Sequence, residues 1–458
     1  LEEGKPVQKV LPHVTMRLPV VERPDGTGNP DDRSLRRLAS EYARHAFRLD
    51  QGPLLRPVLL RIGERDHLLV VVMHHIISDG WSVDILFREW VAIYEAYRSG
   101  RPSPLPEPAF QYADFAVWQR EYVQGEALER ELNYWKERLR GAPPVLDLST
   151  DRPRPAVMSW RGAIEPVEID ERLTEGLKRV GQLAGATLYM VLLAAYSVLL
   201  KRYTGQEDLL IGSPVAGRPQ VEMKSLIGCF VNTVVLRVRP EGNLPFLEYL
   251  RHVRQTALEA FDRQELPFER LVEELKPERS TSHSPLIQTM LTLHNQPMTE
   301  FRLPGLEIVP MEVDSGYTQF DVSVTFREQT GKLVGAIEYS TDLFERETIV
   351  RMAGHWRTLL EGIVADPERR IGELPLLTEA ERRLQIVEWN RTETEIAEEA
   401  CIHERFEEQA AKTPQATAVW YEGKAWTYGE LNGRSNQLAH YLRKRGVGPE
   451  KLVGLYME

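Results

Sequence analysis

The stretch HLLVVVMHHIISDGWS, residues 67–82, holds the point at which this chain changes character. After His67 it runs through six apolar residues, 68–73, that include three β-branched valines, which fit a pleated, half-buried surface. Upstream, the largely apolar LLRPVLLRI (54–62) is separated from it by the polar turn Gly63-Glu64-Arg65-Asp66, so the two runs predict a β-hairpin. Beyond Gly80 the period lengthens. Trp81, Ile85, Trp90, Ile93, Tyr94 and Tyr97 recur at helical spacing, with Ser82 as the expected cap and Gly100 as the expected stop. The heptad HHIISDG (74–80) therefore lies in a loop where a strand hands over to a helix.

Adjacent residues of an extended chain point to opposite sides, so one of His74 and His75 can face a cavity while the other packs against the frame. A free imidazole titrates at about 6.5, which suits sharing a proton near neutral pH. Asp79 can hold the loop by pairing with a cation or with backbone amides, and Gly80 permits a close turn. Such a site suits the attack of an amine on a thioester, in which nitrogen gains positive and the carbonyl oxygen negative charge. The imidazole then either removes the proton or positions and stabilises the amine. Two other readings use the same residues. In one, both histidines are buried partners of backbone carbonyls and Asp79 only ends a helix. In the other they hold a metal, which the adjacency of the histidines and the lack of a nearby HExxH or cysteine pair disfavour, so no metal ligand is assigned.

Outward from this stretch, four prolines between Pro102 and Pro108 break regular structure, and a charged helix is expected from about Ala113 to Leu139. GlyAlaProPro (141–144) and AspArgProArgPro (151–155) suggest a subdomain boundary. Strand-like runs recur at 209–215, 231–239, 285–295 and 321–328, and a helix is expected over 345–364, so the class is mixed α+β. Leu183–Leu200 carries no charge and reaches the length of a membrane span, but Gly185, Thr187 and Ser197 dilute it, and a buried core helix is expected. Thr378 and Glu381 have the spacing of a capping box. Polar residues 391–400 read as a connection to a new unit, which begins near Cys401 and includes a helix from about Asn432 to Arg445 closed by Gly446.

At 458 residues, 42% hydrophobic and 27% charged, the chain has the composition of a globular protein of two or three packed units. A net charge of −11 argues against a broad nucleic-acid surface. Cys229 and Cys401 offer neither a metal spacing nor a disulfide framework and are expected to be unremarkable thiols. With no charged-then-apolar leader in LEEGKPVQKV, the expected location is cytoplasmic, without membrane or nucleic-acid partners.

MHHIISDGWS (73–82) resembles the signature of condensation domains in non-ribosomal peptide synthetases. YADFAVW (112–118) is similar to that family's YxDFAxW, IGCFVNT (227–233) to its IGxFVNT, and QELPFE (264–269) to its QDxPFE. GPLLR (52–56), TGQEDLLIGSPVAGRP (204–219) and SPLIQTM (284–290) also read like the family. The resemblance implies a chloramphenicol-acetyltransferase-like, V-shaped pair of subdomains at 1–145 and 146–370, with a tunnel between them and a linker over 371–400. Donor and acceptor carrier proteins would insert phosphopantetheine arms from opposite faces, no cofactor being bound directly. His75 would face the joined groups as the catalytic residue, supported by His74, Asp79 and Gly80. SDGWS resembles the subclass that joins an L-configured donor to an L-configured acceptor. Residues 401–458, with WTYGELN (426–432), resemble the start of an adenylation domain, a neighbouring partner.

The sequence also departs from the family. An RHExLRTxF-like segment is missing at the start, so the condensation domain is expected to be incomplete there. In relatives an arginine of that segment pairs with the motif aspartate, and Asp79 is expected to lack its usual partner. Arg48, Arg263 and Ser280 stand where relatives often have Asp, His and Asp, and are read as surface changes. The competing functions are an epimerisation domain of the same fold, an acyltransferase using free coenzyme A thioesters, and an inactive docking module.

Overall fold

The computed structural model describes residues 7–11, 13–22, 32–44, 46–277, 280–294, 303, 305–311, 313–393 and 401–456. These form two compact units, Leu1–Glu381 and Arg382–Glu458.

The first unit opens with β1 (Val20–Glu22), α1 (Asp32–Ala43), β2 (Leu55–Arg61) and β3 (His67–Met73). β2 and β3 are the expected hairpin, paired from Leu55↔Met73 to Arg61↔His67, and β1 adds in parallel on the other side of β2. The turn closes where the amides of Ile62 and Gly63 both donate to the carbonyl of Asp66, at 2.9 and 3.0 Å. Alternation puts Val58, Leu60 and Val70 on one face, in a small core with Ala39 of α1.

Helix α2 (Gly80–Arg98) follows, then α3 (Tyr112–Tyr122) and α4 (Gly125–Arg138). Two expectations need correction. Asp79, not Ser82, caps α2, because its carboxylate accepts the Ser82 amide proton. The single helix expected over 113–139 is two, because Gly125 has φ 58, a left-handed value that interrupts an α-helix and that glycine adopts without a Cβ clash.

The larger part of this unit is a six-stranded sheet in the order β4-β9-β8-β7-β5-β6. Its elements in chain order are β4 (Gly162–Ile169), α5 (Glu171–Ala184), α6 (Leu188–Thr204), β5 (Leu209–Val215), β6 (Asn232–Val238), α7 (Phe246–Phe261), α8 (Phe268–Leu275), β7 (Thr289–His294), β8 (Val322–Gln329), β9 (Lys332–Ser340) and α9 (Arg346–Ala365). β7 runs parallel to both β5 and β8, and the remaining pairs are antiparallel. Helix α6 is apolar all round because it runs through the core, where Met190–Leu200 are all buried. The uncharged run Leu183–Leu200 is not one helix. Gly185 ends α5 in the left-handed region, Thr187 caps α6, and the two axes meet at 98°. No single helix among the described residues is long and apolar enough to cross a membrane. Leu132, Trp135 and Leu139, although N-terminal to residue 146, pack in this core, as do Ile371 and Leu374. A short helix α10 (Glu379–Arg383) begins at the capping box, where Glu381 accepts the Thr378 amide proton at 2.9 Å and the Glu381 amide donates to Thr378 Oγ1 at 3.3 Å.

The second unit holds α11 (Ile402–Lys412), the antiparallel pair β10 (Thr417–Tyr421) and β11 (Lys424–Thr427), and α12 (Tyr428–Lys444). Helix α12 begins a turn earlier than expected, because Thr427 and Glu430 form a reciprocal cap. Of the connection expected over 391–400, residues 394–400 lie outside the described residues.

Candidate active site

His74 and His75 take different environments. His74 follows the last residue of β3, and its Nδ1 accepts the Ile76 amide proton at 3.1 Å, so it caps a single 3₁₀ turn over His75–Ile77. Its ring meets that of Phe47 edge-on, with centroids 6.1 Å apart. His75, one residue on, is exposed. Its Nδ1 lies 3.6 Å from Sγ of Cys229. Cys229, expected to be an unremarkable thiol, thus lies beside His75, a neighbour that sequence reasoning did not name. The available signal was its place inside IGCFVNT.

Asp79 is buried and is the hub of the loop. Oδ1 accepts the Ser82 amide proton at 2.8 Å, and Oδ2 accepts that of Phe230 at 2.9 Å. Arg218 Nη2 donates to the same carboxylate at 3.0 and 3.2 Å. Asp79, expected to lack its usual arginine, is paired here with a different one: Arg218, from the AGRP run, supplies the charge from a segment 139 residues away. Only 1% of the Arg218 side chain and 4% of that of Asp79 is exposed, which makes this a desolvated pair. Its other contacts occupy both terminal nitrogens of the arginine, while Nε is buried without a hydrogen-bond partner. Nη1 donates to the carbonyls of Met223 and Leu226, and the guanidinium lies 4.0 Å above the Phe230 ring. Burial pulls the guanidinium below its ordinary pKa, and the Asp79 charge opposes that shift.

Three further sequence motifs converge here. Ser82 Oγ, fully buried, donates to the Gly228 carbonyl at 2.8 Å and accepts the Gly228 amide at 3.0 Å. The Tyr112 hydroxyl donates to the Cys229 carbonyl at 2.9 Å, and Phe115 packs on Phe230 at 4.6 Å between centroids. Gly228 is required by this approach, since a Cβ there would fall 2.1 Å from the Tyr112 ring. Asn232 extends the chain of contacts. Its Nδ2 donates to the carbonyls of Gln264 and Leu266, and its Oδ1 accepts the Phe268 amide proton, tying IGCFVNT to QELPFE. Gly80 begins α2 and has open space where a Cβ would sit. No group of three or more metal-ligating side chains occurs among the described residues.

Chemically, the arrangement presents one exposed imidazole on a loop fixed from behind by a buried ion pair and two backbone amides. A model of the condensation domain matches residues 1–386 of this chain. The chain belongs to the condensation-domain family. A model of AMP-binding enzymes matches residues 406–458, so this condensation domain is followed by the start of an adenylation domain. A linear gramicidin synthase of Brevibacillus parabrevis is 44% identical over 460 residues, which is 100% of this chain and 9% of that protein. Chondramide synthase cmdD of Chondromyces crocatus is also 44% identical, over 461 residues, 100% of this chain and 12% of that protein. The chain thus spans about a tenth of the length of these curated relatives. Among solved structures, the X-domain from teicoplanin biosynthesis is 26% identical with a TM-score of 0.72, over 80% of this chain and 82% of that one. The four-domain nonribosomal peptide synthetase holo-AB3403, 24% identical, shares the fold with a TM-score of 0.81 over 95% of this chain and 33% of that one. The mixed α+β architecture with two subdomains is the chloramphenicol-acetyltransferase-like fold of condensation domains, the catalytic fold of non-ribosomal peptide synthesis.

Proposed function

We propose that this domain forms a peptide bond between two carrier-bound substrates, with His75 as the catalytic residue. The observation that supports the reading best is the placement of His75 as the exposed polar side chain of a loop whose other polar members, His74, Ser78 and Asp79, are turned back into hydrogen bonds. A rigid frame of this kind holds a reacting group in place without reorganisation.

In the proposed step, the amine of an acceptor aminoacyl thioester attacks the carbonyl carbon of the donor thioester. The C–N bond forms, and the His75 imidazole takes the proton that the nitrogen sheds. Collapse of the tetrahedral intermediate breaks the C–S bond, and the proton passes to the departing thiol. Both thioesters hang on phosphopantetheine arms of donor and acceptor carrier proteins, which bring no cofactor into the protein itself. Tethering raises local concentration to about millimolar, so weak carrier docking suffices. The SDGWS segment supports an L-configured donor and an L-configured acceptor as the substrate class. A cytoplasmic setting, where the carriers are made and loaded, completes the reading.

The test is to incubate the chain with an aminoacyl donor on one carrier and an aminoacyl acceptor on another, and to follow dipeptidyl-carrier by intact-protein mass spectrometry beside His75→Ala. Dipeptide that requires His75 supports the reading. Inversion of one substrate without dipeptide would point to epimerisation. Equal turnover of free coenzyme A thioesters would point to a diffusible-substrate acyltransferase, and carrier binding without any product to a docking module.

A further inference from the structure

We propose that Cys229 is a positioning residue for His75, its sulfur accepting the Nδ1–H so that the ring presents an unprotonated Nε2 to the reacting amine. The proposal rests on the catalytic reading of His75 and names what would set that ring's tautomer. Among the described residues, the 3.6 Å contact from Nδ1 to Sγ is the side-chain hydrogen bond that the His75 ring makes. A ring on an exposed loop with one such contact takes its orientation and tautomer from it.

The sulfur can serve this purpose because its backbone is immobilised on both sides. The carbonyl of Cys229 accepts from the Tyr112 hydroxyl, Gly228 before it is bonded through both N and O to Ser82 Oγ, and Phe230 after it donates to Asp79. The segment that holds the thiol and the loop that holds the imidazole are thus pinned to the same carboxylate and the same hydroxyl. The distance between them is set by buried bonds rather than by the exposed contact itself.

The charge environment favours the protonated thiol. The charged groups that act on the thiol are Asp79, Glu269 and Arg218. Burial, then the carboxylates of Asp79 and Glu269, pushes the thiol up from its ordinary value, against a smaller opposing effect of Arg218. A thiolate here would hold His75 as an imidazolium and remove the base. A neutral sulfur is a weak acceptor, which orients the ring without claiming the proton that the reaction needs.

The test uses the 458-residue chain labelled with imidazole-¹⁵N histidine, the His75 signals being assigned by their loss in His75→Ala. Wild type is expected to show the Nδ1-protonated tautomer. Cys229→Ala is expected to move the two ¹⁵N shifts toward a tautomer mixture and to lower kcat about three- to tenfold, the scale of one weak hydrogen bond, at unchanged KM. Cys229→Ser, which restores an acceptor and controls for folding, is expected to bring back the wild-type shifts and most of the rate. Unchanged His75 shifts in Cys229→Ala overturn the proposal, even if turnover falls, because a structural role alone would then explain the loss. Altered shifts together with full turnover by His75→Ala would support the positioning contact and sink the catalytic reading instead.

Discussion

His75 is exposed, so its replacement should remove chemistry and leave packing intact. His75→Ala is expected to lower the rate of dipeptide formation by about 10²- to 10⁴-fold, the range of general acid–base assistance. Its unfolding free energy in urea should stay within about 0.5 kcal/mol of wild type, as for surface changes generally. Asp79 should behave in the opposite way. Asp79→Ala leaves the Arg218 guanidinium buried without its counter-charge and strips the cap from α2, and is expected to cost about 3–5 kcal/mol in urea unfolding. Reversal of that order, with His75→Ala unfolding and Asp79→Ala stable, would mean that the loop is built differently. The heptad made both residues visible in the sequence. The partner of Asp79 was not visible, because an arginine 139 residues away is chosen by tertiary approach and not by spacing.

Among elements, the contact between α3 and the IGCFVNT segment is the one with least tolerance. Gly228→Ala would drive a methyl into the Tyr112 ring, and overpacking of this kind is expected to cost about 1–3 kcal/mol. A circular-dichroism melt of the variant checks this, and an unshifted midpoint would show that Tyr112 can swing aside. The strands at 209–215 and 321–328 were legible nearly to the residue, since short runs rich in β-branched residues and flanked by turns admit few other readings. β4 and β9 were not read as strands. Pro166 within GAIEPVEI argues against a central strand and fits here only because β4 is an edge. In β9, Gly335 weakens the pattern, yet it is needed because a Cβ would meet the Thr325 carbonyl at 2.0 Å. Helix ends shifted wherever a cap was supplied by a neighbour in the sequence that the apolar period does not mark, as with Asp79 and Thr427.

For the molecule as a whole, the large core sets the response to alkali. Tyr196 and Tyr249 are buried, each bonded at 2.6 Å to a hydroxyl, Thr289 Oγ1 and Ser197 Oγ. Burial pushes both phenols far above their ordinary value and that of Tyr203 up to about 12. A phenol whose pKa is raised on folding stabilises the fold below the unfolded value of about 10, and that contribution is lost as pH climbs from there toward the folded value. Stability should therefore fall above about pH 10, with these phenols ionising together as the fold opens. Tyrosinate absorbance followed against far-ultraviolet circular dichroism checks it, and ionisation of every tyrosine before any loss of structure would contradict it.

The sequence by itself determined what is local or periodic: the hairpin, the handover from strand to helix at HHIISDG, the burial of the uncharged run 183–200 though not its break into two helices, and the membership in a family that four ordered motifs carry. Those signals survive in one dimension because turn chemistry, side-chain period and short-range caps act within a few residues. The tertiary structure alone decided that Arg218 neutralises Asp79, that Ser82 joins Gly228, that Cys229 stands beside His75, and that α4 packs in the large core. Each of these is a meeting of distant segments, fixed by which surfaces bury well together, and the energy that selects it belongs to no single stretch of the chain.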